Sequence, residues 1–103
     1  MYNVGYLPLA LQDMVEIVEY ISRELCNPEA ANSLADLFMK EIDSLSMFPY
    51  THERYDSPYP LRHEYRKLVV NNYLVFYWVD EPKKQVTVSR VLFGKRDYTS
   101  VLK

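Results

Sequence analysis

From Tyr65 to Tyr98 the chain runs through three short segments rich in Val, Leu, Phe, Tyr and Trp, separated by Asn71-Asn72 and by Asp80-Glu81-Pro82-Lys83-Lys84. Beta-branched and aromatic enrichment between turn residues is the pattern of antiparallel strands joined by hairpins. Asn tolerates positive φ, so a two-residue Asn-Asn loop suits a tight turn. Strands are expected at about 65–70, 73–79 and 85–93. The middle one, Tyr73 to Val79, is apolar on both faces, as a central strand covered on both sides should be. In the third, strict alternation puts Val86, Val88, Arg90 and Leu92 on one face and Thr87, Ser89, Val91 and Phe93 on the other. An arginine in phase with core valines is costly unless it is paired or stands at a cleft.

Ahead of this meander the pattern is helical. Tyr2 to Tyr6 reads as a short first strand, weakened by Gly5. Pro8 then opens a helix where its missing N–H does no harm. Leu11, Met14, Val18, Ile21 and Leu25 recur at spacings of three and four and predict the buried stripe, with Asp13, Glu16, Glu19 and Glu24 off it. Asn27-Pro28-Glu29 restarts a helix, with Asn as cap, Pro in the first turn and Glu where the helix dipole favours it. The second helix carries Ala31, Leu34, Phe38, Ile42 and Leu45 on one face, runs to about Met47, and is ended by Pro49. So short a link makes the two helices an antiparallel hairpin, which must bury its apolar stripes against the sheet. Residues 49–61 read as an ordered loop. The expected architecture is α+β in one domain, residues 1–103: a twisted antiparallel sheet, built from a short N-terminal strand and a three-stranded meander, packed against the hairpin.

Composition removes several function classes. Cys26 is the lone cysteine, so no internal disulfide forms and a reducing cytoplasm is the expected compartment. No signal-peptide layout is evident, and no apolar run nears the roughly 20 residues that span a bilayer. His52 and His63 lie in separate contexts, and the zinc-protease pattern suggested by His52-Glu53 lacks its second histidine, so a metal site is not expected. Cys26 falls near a helix C-terminus, away from the electropositive end that would activate it. With only Gly5 and Gly94 there is no glycine-rich phosphate loop.

Charge is unevenly spread. Residues 1–60 hold ten acidic and three basic side chains, a balance of −7; residues 61–103 hold four acidic and nine basic, a balance of +5. The asymmetry fits either a charged partner or simply acidic solvent faces on the helices. The basic half gathers Arg62, His63, Arg66, Lys67, Arg90, Lys95 and Arg96 near Tyr98. Such a set suits phosphodiester chemistry, in which cations hold the phosphate and stabilise charge on its oxygens. Tyr98 or His63 would move the protons between ribose 2′-OH and leaving 5′-oxygen. The residues by themselves fit a structural role slightly better, with Arg66 and Arg90 pairing to carboxylates such as Asp97 or Glu64 and the lysines solvated at the hairpins.

The order strand, helical hairpin, meander is joined by local text: Ala10-Leu-Gln-Asp13, Tyr20-Ile21, Asn27-Pro28, Phe48-Pro49, Tyr65-Arg66-Lys-Leu68, Asn72-Tyr73-Leu-Val-Phe-Tyr77 and Val88-Ser-Arg90-Val91-Leu-Phe-Gly94-Lys-Arg96-Asp97. With these pieces nearly the whole chain resembles the RelE/ParE superfamily of toxins from bacterial type II toxin–antitoxin modules. The resemblance implies a cognate antitoxin as partner and no cofactor. RelE-like members cleave messenger RNA on the ribosome without metal, which would make Arg66, Arg90, Arg96 and Tyr98 catalytic and Arg62, His63, Lys67 and Lys95 RNA-binding. ParE-like members share the fold and inhibit DNA gyrase. Departures from the RelE-like pattern are Leu74, where an arginine is expected, and Leu102, at the C-terminal tyrosine position. The leading expectation is ribosome-dependent mRNA cleavage, with gyrase inhibition as the alternative.

Overall fold

The computed structural model describes residues 1–57, 60–94 and 102. Strand β1 (Asn3–Tyr6) leads into helix α1 (Pro8–Glu19), which continues as a π-helical turn over Tyr20–Glu24. Helix α2 (Pro28–Asp43) tightens into a 3₁₀ turn at Ser44–Ser46. The meander follows as β2 (Arg66–Val70), β3 (Tyr73–Asp80) and β4 (Gln85–Phe93). The sheet order is β1-β4-β3-β2. The meander is antiparallel as expected, while β1 pairs with β4 in parallel, Asn3 opposite Gln85 and Tyr6 opposite Val88, so the four-stranded sheet is mixed.

The turn and cap chemistry behaves as its residues require. Asn27 caps α2 through its side-chain oxygen, which accepts from the Ala30 N–H at 3.1 Å. Asn71 takes the left-handed φ of 53° between β2 and β3. Ala31, Leu34, Phe38, Ile42 and Leu45 are buried and meet Leu68, Val70, Val75, Tyr77, Val86, Val88 and Val91 from the sheet. A second cluster forms on the opposite sheet face from Tyr65, Phe76 and Leu102, with Tyr55, Leu61, Leu74, Trp78 and Leu92 against it. Apolar residues on both faces of β3 therefore serve two cores.

Besides the direction of β1, two expectations are corrected. On α1 the inward positions are Ala10, Asp13, Met14, Ile17 and Ile21, while Leu11 and Leu25 are about half exposed. The stripe is rotated by about one position because Asp13, assigned to solvent by its charge, is buried. On β4 the alternation breaks after Val88. Tyr77 pairs with Val88 and Phe76 with Arg90, leaving Ser89 as an extra residue in a β-bulge. Val86, Val88 and Val91 thus face the helices, and Arg90 shares the opposite face with Phe76.

Candidate functional site: the arginines and the surfaces around them

Arg90 leaves the bulge toward α1 and meets Asp13. Its Nε donates to Asp13 Oδ2 at 2.7 Å and its Nη2 to Oδ1 at 3.0 Å. The same Oδ2 accepts the backbone N–H of Val91 at 3.0 Å. Helix α1 here runs along the margin of β4 beyond the end of β1, and Asp13 supplies the acceptor that another strand would have provided. The fork-to-carboxylate pairing raises the guanidinium pKa further, chiefly through the hydrogen bonds to Asp13. Sequence reasoning missed Asp13. Its spacing from Ala10 and Ile17, at one helical turn each, was the available signal.

Arg66 is held elsewhere. It stands opposite Tyr77, which faces the helices, so its side chain and that of Arg90 leave opposite faces of the sheet. Its Nη1 donates to the His52 carbonyl at 2.8 Å, its guanidinium lies 5.1 Å from the Tyr50 ring centroid, and its Nη2 is 3.8 Å from Glu64 Oε1. The pairing with Glu64 follows one sequence alternative; Arg90 finds Asp13, which neither alternative named. The expected convergence of Arg66 and Arg90 on one phosphate-sized spot is corrected by this register.

The remaining described residues of the expected site lie on the face that Arg90 shares with Phe76 and Trp78. Lys67 Nζ lies 3.8 Å from Glu53 Oε2. His63 stacks on Trp78 with ring centroids 3.8 Å apart and planes 3° from parallel. Burial, then the Arg62 charge, lowers the His63 pKa below its ordinary 6.5, so the ring is mainly neutral at pH 7. Arg62 and His63 help line a small cavity of about 280 Å³ with Tyr65, Trp78, Ser89 and Arg90. Lys95, Arg96 and Tyr98 lie outside the described residues. Among the described residues no group of three or more His, Cys, Asp or Glu side chains is placed to hold a metal ion. Among them, too, no helix is long and apolar enough to cross a membrane.

A third polar cluster ties the chain's N-terminus to the β3–β4 turn. Tyr2 and Tyr50 donate their hydroxyls to Glu81 Oε1 at 2.7 and 2.6 Å, and Lys84 pairs with the other oxygen. Hydrogen bonds from Lys84, Tyr50 and Tyr2 hold the Glu81 carboxyl at a pKa of about 2, against an ordinary 4.5. The Tyr50 phenol is pushed up to about 12 by the same contact. A depressed carboxylate pKa stabilises the fold above pH 4.5, and that contribution is lost as pH falls toward 2. Thermal melts should therefore show Glu81→Gln below wild type at pH 7, with the gap closing on acidification. A gap unchanged at pH 2 would show that the carboxylate charge is not what the cluster uses.

The sequence matches the family described as the ParE toxin of the type II toxin–antitoxin system parDE, over residues 4–98. No curated protein matches it significantly. Among solved structures it is similar to a chain of the chromosomal ParDE system of P. aeruginosa, with TM-score 0.74, 16% identity and coverage of 92% of this chain and 98% of that one. It is also similar to chains of the archaeal RelE–RelB complex of Pyrococcus horikoshii (TM-score 0.65, 15% identity, 93% and 98% covered) and of the E. coli RelBE complex (0.63, 15%, 93% and 100%). At such identities these likenesses establish the shared fold. The match across residues 4–98 goes further: this chain belongs to the ParE toxin family of type II toxin–antitoxin systems.

Proposed function

We propose that this toxin arrests growth by binding a protein target, DNA gyrase, and is itself neutralised by a cognate antitoxin. The observation that carries this reading is the commitment of the two central arginines. Cleavage of messenger RNA without metal calls for cations converging on one phosphate. Arg66 and Arg90 instead leave opposite faces of the sheet, and Arg90 has its charge matched by Asp13 in two hydrogen bonds. Leu74, where the RelE-like pattern carries an arginine, points the same way. The family match and the ParDE likeness support the same branch, and the antitoxin partner is supported by the toxin–antitoxin complexes that share the fold.

The test is a pair of assays on the purified protein. Gyrase-driven supercoiling of a relaxed plasmid should be lost as the protein is added, and messages in a reconstituted translation reaction should stay intact. Codon-phased cuts in those messages, with supercoiling unaffected, would overturn the proposal in favour of a ribosome-dependent nuclease. Supercoiling unaffected and messages intact would leave this chain as a toxin fold without either activity, and would overturn it equally.

A further inference from the structure

On the sheet face that carries Trp78, beside the start of α1, the cavity of about 280 Å³ takes its apolar walls from Leu7, Leu9, Tyr65, Trp78 and Leu102. Sites for whole small molecules run to about 300–1,000 Å³, so this one suits a single side chain and its immediate neighbour. Tyr65 and Trp78 meet edge to face, with centroids 5.7 Å apart and planes at 90°. A third ring extends such an arrangement favourably. An aromatic anchor seated in a small pocket is the usual centre of a protein–protein contact.

The polar groups around it define what accompanies the anchor. Of the described cations expected at the site on this face, Arg90 is matched by Asp13 and Lys67 lies 3.8 Å from Glu53. Arg62 is exposed and has no ion-pair partner among the described residues. One unmatched guanidinium suits one carboxylate, which it can grip through two N–H groups. Ser89, the extra residue of the bulge, also lines the cavity; it is 5% exposed, and its hydroxyl has no hydrogen-bond partner among the described residues. A buried hydroxyl left unmade is costly, and a peptide N–H or carbonyl would answer it. A nucleic acid fits less well, because it needs several phosphate contacts and open aromatic faces. Here the facing sides of His63 and Trp78 cover each other at 3.8 Å.

We infer that this cavity receives an aromatic side chain followed by an acidic residue, presented by the toxin's protein target. The inference rests on the gyrase reading proposed above and adds the surface and the chemistry of the contact.

Trp78 is the chain's single tryptophan, so its fluorescence reports on the cavity directly. Three capped tetrapeptides, Ala-Phe-Asp-Ala, Ala-Phe-Lys-Ala and Ala-Ala-Asp-Ala, are titrated into the full chain. The first should give a saturable change and bind at least about tenfold more tightly than the other two. Arg62→Glu, a substitution at an exposed position, should reverse the preference in favour of Ala-Phe-Lys-Ala. Ser89→Ala should weaken Ala-Phe-Asp-Ala severalfold. No saturable change, equal binding of the three peptides, or a preference unmoved by Arg62→Glu would overturn the inference. Excess Ala-Phe-Asp-Ala should also restore supercoiling to gyrase held by the toxin. A peptide that binds and leaves inhibition intact would overturn the assignment of the cavity to the target, as would self-association in sedimentation that the peptide abolishes. Failure of the proposed activity shows with toxin and gyrase alone, and failure of the cavity shows with toxin and peptide alone.

Discussion

Replacing Asp13 by alanine is expected to destabilise the protein by about 3–5 kcal/mol, the cost of removing one partner from a buried ion pair. Both side chains are largely shielded, Asp13 at 10% exposure and Arg90 at 22%. Alanine leaves the guanidinium with no hydrogen-bonded counter-charge, only the weaker influence of Glu16, and strips the Val91 N–H of its acceptor at the margin of β4. Asn at this position keeps an oxygen for Val91 and should recover about 1–2 kcal/mol of the loss. Urea denaturation of wild type, Asp13→Ala and Asp13→Asn gives the ordering directly. A loss below about 1 kcal/mol for alanine, the range of exposed pairs, would mean that the contact does not fasten α1 to the sheet.

The second large effect belongs to Phe38. It is fully buried at the contact between α2 and the sheet, edge-on to Tyr73 with ring centroids 5.7 Å apart. Phe38→Ala should cost about 3–5 kcal/mol through lost apolar transfer and the cavity left behind. In a domain of this size that lowers the melting midpoint on the order of 20 °C. A differential scan of the two proteins checks it, and a shift of only a few degrees would show that the hairpin relaxes into the space. The two variants should also differ in kind. Asp13→Ala loosens one helix at the sheet margin, whereas Phe38→Ala weakens the packing between both layers.

The fold could be read from the sequence largely because turn residues and hydrophobic period agree along the chain. Asn27-Pro28-Glu29, Pro49, Asn71-Asn72 and Gly94 lie where elements change, and the apolar spacing between them matches the observed elements. Two details required three-dimensional information. The direction of β1 relative to β4 depends on which side the helical hairpin returns, which no residue in Tyr2–Tyr6 specifies. The bulge at Ser89 was hidden because the run from Val86 to Phe93 reads as an unbroken alternation, and one extra residue reverses the face of everything after it.

The site was less legible than the fold, for a related reason. Clustering of Arg66, Arg90 and their neighbours in sequence shows that cations are near the meander, and it carries no information about which face each leaves. The alternation argues that Arg90 must be paired or stand at a cleft; it is paired, although the bulge takes it off the face of Val86 and Val88 on which that argument rests. Its partner lies 77 positions earlier, on a helix whose acidic residues look uniformly solvent-facing when each is judged by its own charge. A groove beside α1 was also concealed. Tyr20 reads as core or rim packing and Leu25 as part of a buried stripe, and both prove to be exposed on the wall of an open cavity.

Whether Arg90 is a fastening cation or a phosphate ligand is decided most directly by a charge-free replacement of the pair. Asn at position 13 and Gln at position 90, introduced together, keep hydrogen-bonding groups on both sides and an oxygen for the Val91 N–H. Growth arrest on induced expression is the readout, with circular dichroism to establish that the double variant D13N/R90Q is folded. Arrest at the wild-type level is the expected result, since no positive charge is needed at position 90 once the margin of β4 is secured. A folded double variant that no longer arrests growth would contradict it, and would return Arg90 to the chemistry of a phosphate.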